Sequence, residues 1–136
     1  MNITVISVGK IKEKYFTAAI DEYSKRLSRF AKLNIIEVAD EKIPDNASEK
    51  EMEQIKEKEG NKILAKLPQN SFVVTLCIEG KEHSSEELAK KIADISMTSS
   101  HITFIIGGSL GLSDTVKSKS ALRLSFGKMT LPHQLM

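Results

Sequence analysis

The sequence is poor in cysteine, in long apolar runs and in charge of one sign. Its single cysteine, Cys77, excludes an intramolecular disulfide. Cys77 lies inside the most apolar segment and reads as a buried free thiol in a reducing cytosol. The longest apolar run, Phe72–Ile78, falls far short of the roughly 20 residues that cross a bilayer. The opening residues MNITVISVGK carry no charged region ahead of their apolar stretch and no small-residue cleavage site, so they read as a strand and not as a signal peptide. No repeat, low-complexity tract or linker divides the chain. Its 136 residues, 40% apolar and 28% charged, therefore suit one globular domain spanning 1–136.

Net charge is only +2, which does not by itself announce a nucleic-acid partner. The distribution is more informative. Residues 10–32 carry Lys10, Lys12, Lys14, Lys25, Arg26, Arg29 and Lys32 against Glu13, Asp21 and Glu22. Residues 113–136 carry Lys117, Lys119, Arg123 and Lys128 against Asp114, while the middle, Glu49–Glu59, is mostly acidic. Such asymmetry suits a basic face for phosphates, although solvated helix surfaces produce the same pattern.

Apolar periodicity organises the rest. Ile3, Val5, Ile6 and Val8 predict a buried strand over 2–8, ending at Gly9. Phe16, Ile20, Tyr23, Leu27 and Phe30, spaced by four and three, make one stripe on a helix. Leu33–Val38 predicts a second strand, with Pro44-Asp45-Asn46 ending the loop behind it. Ser48 with Glu51 forms a capping box opening a helix through Met52, Ile55, Ile63 and Leu67, stopped by Pro68. Gly60 inside that helix costs about 1 kcal/mol relative to alanine, so packing must hold the turn. The run FVVTLCI predicts a central strand covered on both faces. Ser84 with Glu87 caps a helix through Leu88, Ile92 and Ile95, ITFII at 102–106 predicts another strand, and Ser113 caps a short helix. Leu122, Leu124 and Phe126 alternate as a last strand. The βαβαβαβαβ order implies an α/β fold, with a mostly parallel sheet and helices on both faces. Ligands in such folds bind beyond the carboxyl ends of strands, which directs attention to the loops after residues 8, 78, 106 and 126.

Few residues announce chemistry alone. Gly107, Gly108 and Gly111 follow the 102–106 strand, but their spacing is neither G-x-G-x-x-G nor a P-loop, so a tight turn explains them equally well. His83 and His101 have no ligand-type neighbours at metal spacing and read as bystanders, and no zinc site is expected. There is no G-x-S-x-G elbow or Cys–His arrangement, which disfavours hydrolytic nucleophiles. Pro132 fits the first turn of a helix with Thr130 as its potential cap, and His133 follows it.

Three stretches together go further: VGKIKEKY at 8–15, FIIGGSLGLS at 104–113 and LSFGKMTLPHQLM at 124–136. In this order and spacing they resemble the RlmH family of SPOUT methyltransferases, and the connecting segments DEKIPDNAS and KEGNKILAKL are similar too. The resemblance implies a SPOUT-type α/β knot, in which the C-terminal part threads a loop as a trefoil, one of the rare exceptions to unknotted topology. It further implies a cytoplasmic homodimer that uses S-adenosylmethionine to methylate N3 of a pseudouridine in large-subunit (23S) ribosomal RNA on the assembled ribosome. No metal is implied, because a sulfonium is already a good leaving group. By motif, the cofactor pocket falls to Leu76, to Gly107, and to the run Phe126, Gly127, Lys128, Met129, Thr130 and Leu131. His133 is the nearest titratable candidate for the base that frees the acceptor nitrogen.

The pattern departs from that family at the end. Family members continue past HQLM with an arginine, a long helix and a tail, whereas this sequence stops at Met136. The departure raises a competing expectation, a catalytically impaired form acting only as a cofactor-binding or assembly module. A nucleotide-binding oxidoreductase is the third reading, and it lacks the opening glycine fingerprint.

Overall fold

Short β-branched runs and Ser-initiated helices alternate along the chain, and the computed structural model, which describes residues 1–136, turns each into an element. In order these are β1 (Asn2–Val8), α1 (Lys14–Leu27), β2 (Lys32–Val38), α2 (Glu49–Lys66), β3 (Phe72–Glu82), α3 (Ser85–Ser96), β4 (His101–Ile106), α4 (Asp114–Ser118) and β5 (Leu122–Ser125). Both capping boxes form. Ser48 Oγ accepts the Glu51 N–H at 3.2 Å and Ser84 Oγ accepts the Glu87 N–H at 3.1 Å. Ser113 caps α4 in the same way, accepting from Val116 at 3.3 Å. Each such cap stabilises its helix by about 1 kcal/mol.

All five strands run parallel in the order β2-β1-β4-β3-β5. The middle position falls to β4, not to the FVVTLCI strand β3, which lies one place further out between β4 and β5. Both edges of β3 are still paired, and that is what its continuous apolar run requires. One face of the sheet buries Ile6, Val8, Val73 and Ile105 with Ile63 of α2 and Val116 of α4. The other buries Val74, Ile102 and Leu124 with Ile95 of α3. Fully burying one such aliphatic side chain is worth about 1.5–3 kcal/mol. Gly60 earns its place in α2 by close packing: a β-carbon there would lie 2.6 Å from Ser113 Oγ and 3.0 Å from Val116 Cγ2.

Helix α1 behaves differently from its sequence pattern. It ends at Leu27, so Phe30 lies beyond it, and none of its residues is buried. Tyr23 is 64% and Phe30 81% exposed, because β2, the strand nearest α1, is a sheet edge with little face to offer. His101 is structural, its Nε2 lying 2.8 Å from Thr4 Oγ1.

One irregularity shapes the site. Leu76 stands opposite Leu124 of β5, and so does Lys81, so residues 77–80 arch out of register. The arch returns through Gly80, where a β-carbon would meet the backbone of Arg123 and Leu124 at 2.8 Å.

Candidate active site

The arch within β3 lies beside the carboxyl ends of β4 and β5, and these with the segments leaving β4 and β5 enclose a cleft of about 680 Å³. That volume lies within the ordinary range for small-molecule sites. From β3 come half-buried Leu76 and the arch of Cys77, Ile78 and Glu79. From β4 comes the glycine loop, 107–112. From β5 come Phe126, Gly127, Met129, Thr130 and Leu131, with His133 beyond them. The structure thus gathers most of the residues marked in the sequence. Lys128 stays out: it is exposed and not part of the lining.

The glycine loop is built by close contact. A β-carbon on Gly107 would lie 2.8 Å from the carbonyl carbon of Gly111 and 3.1 Å from Leu112 Cδ2. Gly111 (φ +83°) closes the loop by donating its N–H to Gly108 O at 3.0 Å. After β5, Ser125 pins the next turn: its Oγ accepts the Gly127 N–H at 3.1 Å and its hydroxyl donates to Gly127 O at 3.0 Å. Gly127 has φ +129°, which favours glycine. At both Gly111 and Gly127 the space a β-carbon would take is open.

The last segment forms one turn rather than a helix. Leu135 N–H donates to Pro132 O at 3.0 Å and Met136 N–H to His133 O at 3.2 Å, while Thr130 makes no cap. Pro132 still begins the turn, where its fixed φ is suited. His133 is half-buried, and its Nε2 is enclosed without a hydrogen-bond partner.

Charges sit at the rim. Lys117 donates to Glu79, and this hydrogen bond holds the Glu79 carboxyl below the usual range. Lys56, also lining the cleft, pairs with Glu53 at 2.6 Å. Cys77 is half-buried in the cleft wall, not sealed in the core as its apolar surroundings in sequence suggested. Burial, followed by the Glu79 charge, pushes its thiol pKa up, which disfavours a thiolate nucleophile.

Sequence reasoning missed one residue, Glu59. It is 5% exposed, and its carboxyl lies beneath the glycine loop. A usable signal was present: Glu59 falls midway between Ile55 and Ile63, each four residues away, so a carboxyl interrupts the buried stripe of α2.

A cleft of this composition, at the ends of two parallel strands and the arch of a third, suits several nucleotide-like ligands, and comparison with known proteins decides the family. The family model described as "Predicted SPOUT methyltransferase" matches residues 1–136. The chain belongs to the SPOUT methyltransferase family. It is a methyltransferase, which sets aside the oxidoreductase reading. A ribosomal RNA large subunit methyltransferase H from Clostridium botulinum (strain Kyoto) is 62% identical over 136 residues, covering 99% of this chain and 86% of the relative. One of the same name from Clostridium novyi is 60% identical over 137 residues, covering 100% and 86%. A Methanococcus maripaludis relative, bearing that name in provisional form, is 63% identical, again covering 100% and 86%. SPOUT membership agrees with the all-parallel sheet flanked by helices.

Proposed function

We propose that this SPOUT methyltransferase transfers the methyl group of S-adenosylmethionine to N3 of a pseudouridine in large-subunit ribosomal RNA on the assembled ribosome. The observation that carries the reading is the convergence of Leu76, the glycine loop and the turn after β5 on one cleft. The names of the relatives, ribosomal RNA large subunit methyltransferase H, support the choice of RNA.

The residues present fit the cofactor. The cleft offers apolar walls at Leu76, Ile106 and Leu131, and backbone that a bent nucleoside can approach at Gly111 and Gly127, where no β-carbon intrudes. When bound, S-adenosylmethionine supplies an electrophilic methyl on a sulfonium that departs as a neutral thioether. Leu76 and Leu131 would shield the adenine from water, and the backbone N–H and C=O groups of 107–111 and 126–131 would hold the nucleoside. Catalysis by this chain is then mainly positioning, which brings methyl and acceptor nitrogen into line. His133 is the proposed base for the imide proton, its ring standing against Gly9 at the edge of the cleft.

Residues 1–136 are read as one domain, and the chain leaving β5 past the 77–80 arch as the part that enters the trefoil. A cytoplasmic homodimer goes with the same reading. Exposed Tyr23, Leu27 and Phe30 supply apolar surface that a second subunit would cover. Sedimentation showing only monomer at high concentration would contradict the dimer.

The test of function is a calorimetric titration with S-adenosylmethionine, NAD serving as control, followed by transfer of labelled methyl to ribosomes lacking the modification. Selective binding and labelling of large-subunit RNA are expected. Binding of NAD in preference, or labelling of protein instead of RNA, would overturn the reading.

A further inference from the structure

The glycine loop rests on a buried acid to which the proposed reaction assigns no task. Glu59 Oε2 accepts the backbone N–H of Glu41 at 3.0 Å, tying α2 to the chain that leaves β2. Oε1 is buried without any hydrogen-bond partner. Both oxygens face the loop: a β-carbon on Gly108 would lie 3.2 Å from Oε1, 3.4 Å from Oε2 and 3.1 Å from Val8 Cγ1. Gly108 is also where the loop closes, through its carbonyl and the Gly111 N–H. The carboxyl, Val8 and Gly108 therefore leave no spare room between the helix and the loop. A buried polar atom without a partner costs about 1–3 kcal/mol, and such atoms in native proteins call for an explanation.

We propose that Glu59 is a positioning residue for the cofactor cleft, its carboxyl seating the Gly107–Leu112 loop from beneath and fixing the shape of the cleft above. The part concerning the cofactor rests on the function proposed above; the seating of the loop does not.

The surroundings favour the neutral acid more than water does. Burial raises the carboxyl's pKa, and Asp40 and Glu41, at the end of β2, act in the same direction. The Glu41 N–H and Lys62 act against them. Lys62, on α2, is itself held by Glu41 Oε1 at 2.8 Å and Ala39 O at 3.1 Å. Neither the 107–112 loop nor Val8 brings a titratable side chain. Ionisation would place a third negative charge beside those of Asp40 and Glu41, inside a site that water does not reach. Because the folded-state pKa is raised, the seating is fully present below the ordinary carboxyl value of 4.5 and is lost as pH rises through the raised value.

Amide hydrogen exchange on the unliganded chain tests this between about pH 5 and pH 9, with rates corrected for intrinsic chemistry. In the wild type, protection of the Gly111 amide relative to Ile105 in β4 is expected to fall about tenfold with rising pH. In Glu59→Gln, which keeps the shape and a donor but cannot ionise, loop protection is expected to stay at the low-pH wild-type level throughout. Glu59→Ala is expected to lose loop protection at every pH while Ile105 is unchanged. Loop protection indifferent both to pH and to Glu59→Ala would overturn the proposal, as would loosening of loop and β4 together. S-adenosylmethionine affinity forms the second arm and is expected to follow loop protection across pH in the wild type. A loop that responds as expected in a wild-type chain without affinity for S-adenosylmethionine would sink the function and leave the seat standing. Normal affinity with an indifferent loop would do the reverse.

Discussion

The ring of His133 lies over the α-carbon of Gly9: a β-carbon on Gly9 would stand 3.0 Å from Cε1 and 3.1 Å from Nε2. The turn after the first strand and the last turn of the chain are thereby packed face to face. Gly9 is at φ +97°, a conformation that side chains rarely adopt. Gly9→Ala is therefore expected to destabilise the fold by about 1–3 kcal/mol and to displace His133. Urea denaturation reads the first effect, and loss of methyl transfer the second.

Gly107→Val is expected to abolish S-adenosylmethionine binding. The clash is with the backbone of Gly111 at 2.8 Å, so the loop cannot close, whatever room remains in the cleft. Calorimetry on a variant that keeps wild-type circular dichroism is the check. Affinity equal to that of the wild type would remove Gly107 from the pocket.

His133→Ala is expected to separate binding from chemistry. If His133 takes the acceptor proton, methyl transfer falls by roughly 10²–10⁴ while cofactor affinity changes by only a few fold. Single-turnover transfer to ribosomes, beside a cofactor titration, makes the comparison. A parallel loss of both would mark His133 as a packing residue instead.

The Glu79–Lys117 pair gives a pH prediction of the opposite sign to that for Glu59. The Lys117 hydrogen bond lowers the Glu79 pKa, so its contribution is present above the ordinary carboxyl value of 4.5 and is lost as pH falls through the lowered value. Glu79 is 54% exposed, so water screens the pair and its worth stays below about 1 kcal/mol. Glu79→Gln should shift the denaturation midpoint slightly at neutral pH and not at all in strong acid.

Much of this architecture was legible because local chemistry and tertiary packing agree. Ser48 with Glu51 and Ser84 with Glu87 mark helix starts that the structure keeps. The runs ending at Val8, Val38 and Ile106 are strands with those same ends. Strand order was not legible, since β3 and β4 are both continuous apolar runs and nothing local says which takes the middle. The arch at 77–80 was hidden because its cause, the close approach of Gly80 to β5, lies more than forty positions along the chain. In the site, Gly107 and the 126–131 run were marked by motif, whereas Glu59 was masked by the acids around it. Its burial depends on the glycine loop lying above it, a relation that composition does not carry. The stripe on α1 is helical as far as Leu27 and not at Phe30, and periodicity tells only that a face is apolar, not what covers it.

The place of β4 has a consequence for how the molecule comes into being. Asn2 pairs with Lys32 on one side and with His101 on the other. A growing chain that has released only β1, α1 and β2 holds an open strand edge along β1, with no partner until residues 101–106 emerge. Ordering β1 against β4 means closing a long loop, which slows folding and keeps that edge exposed while synthesis proceeds. The cleft needs β3, β4, β5 and the turn at 132–136 together, so it forms only after the sheet has taken all five strands. A ligand that fits there therefore meets only a chain whose five strands have already assembled.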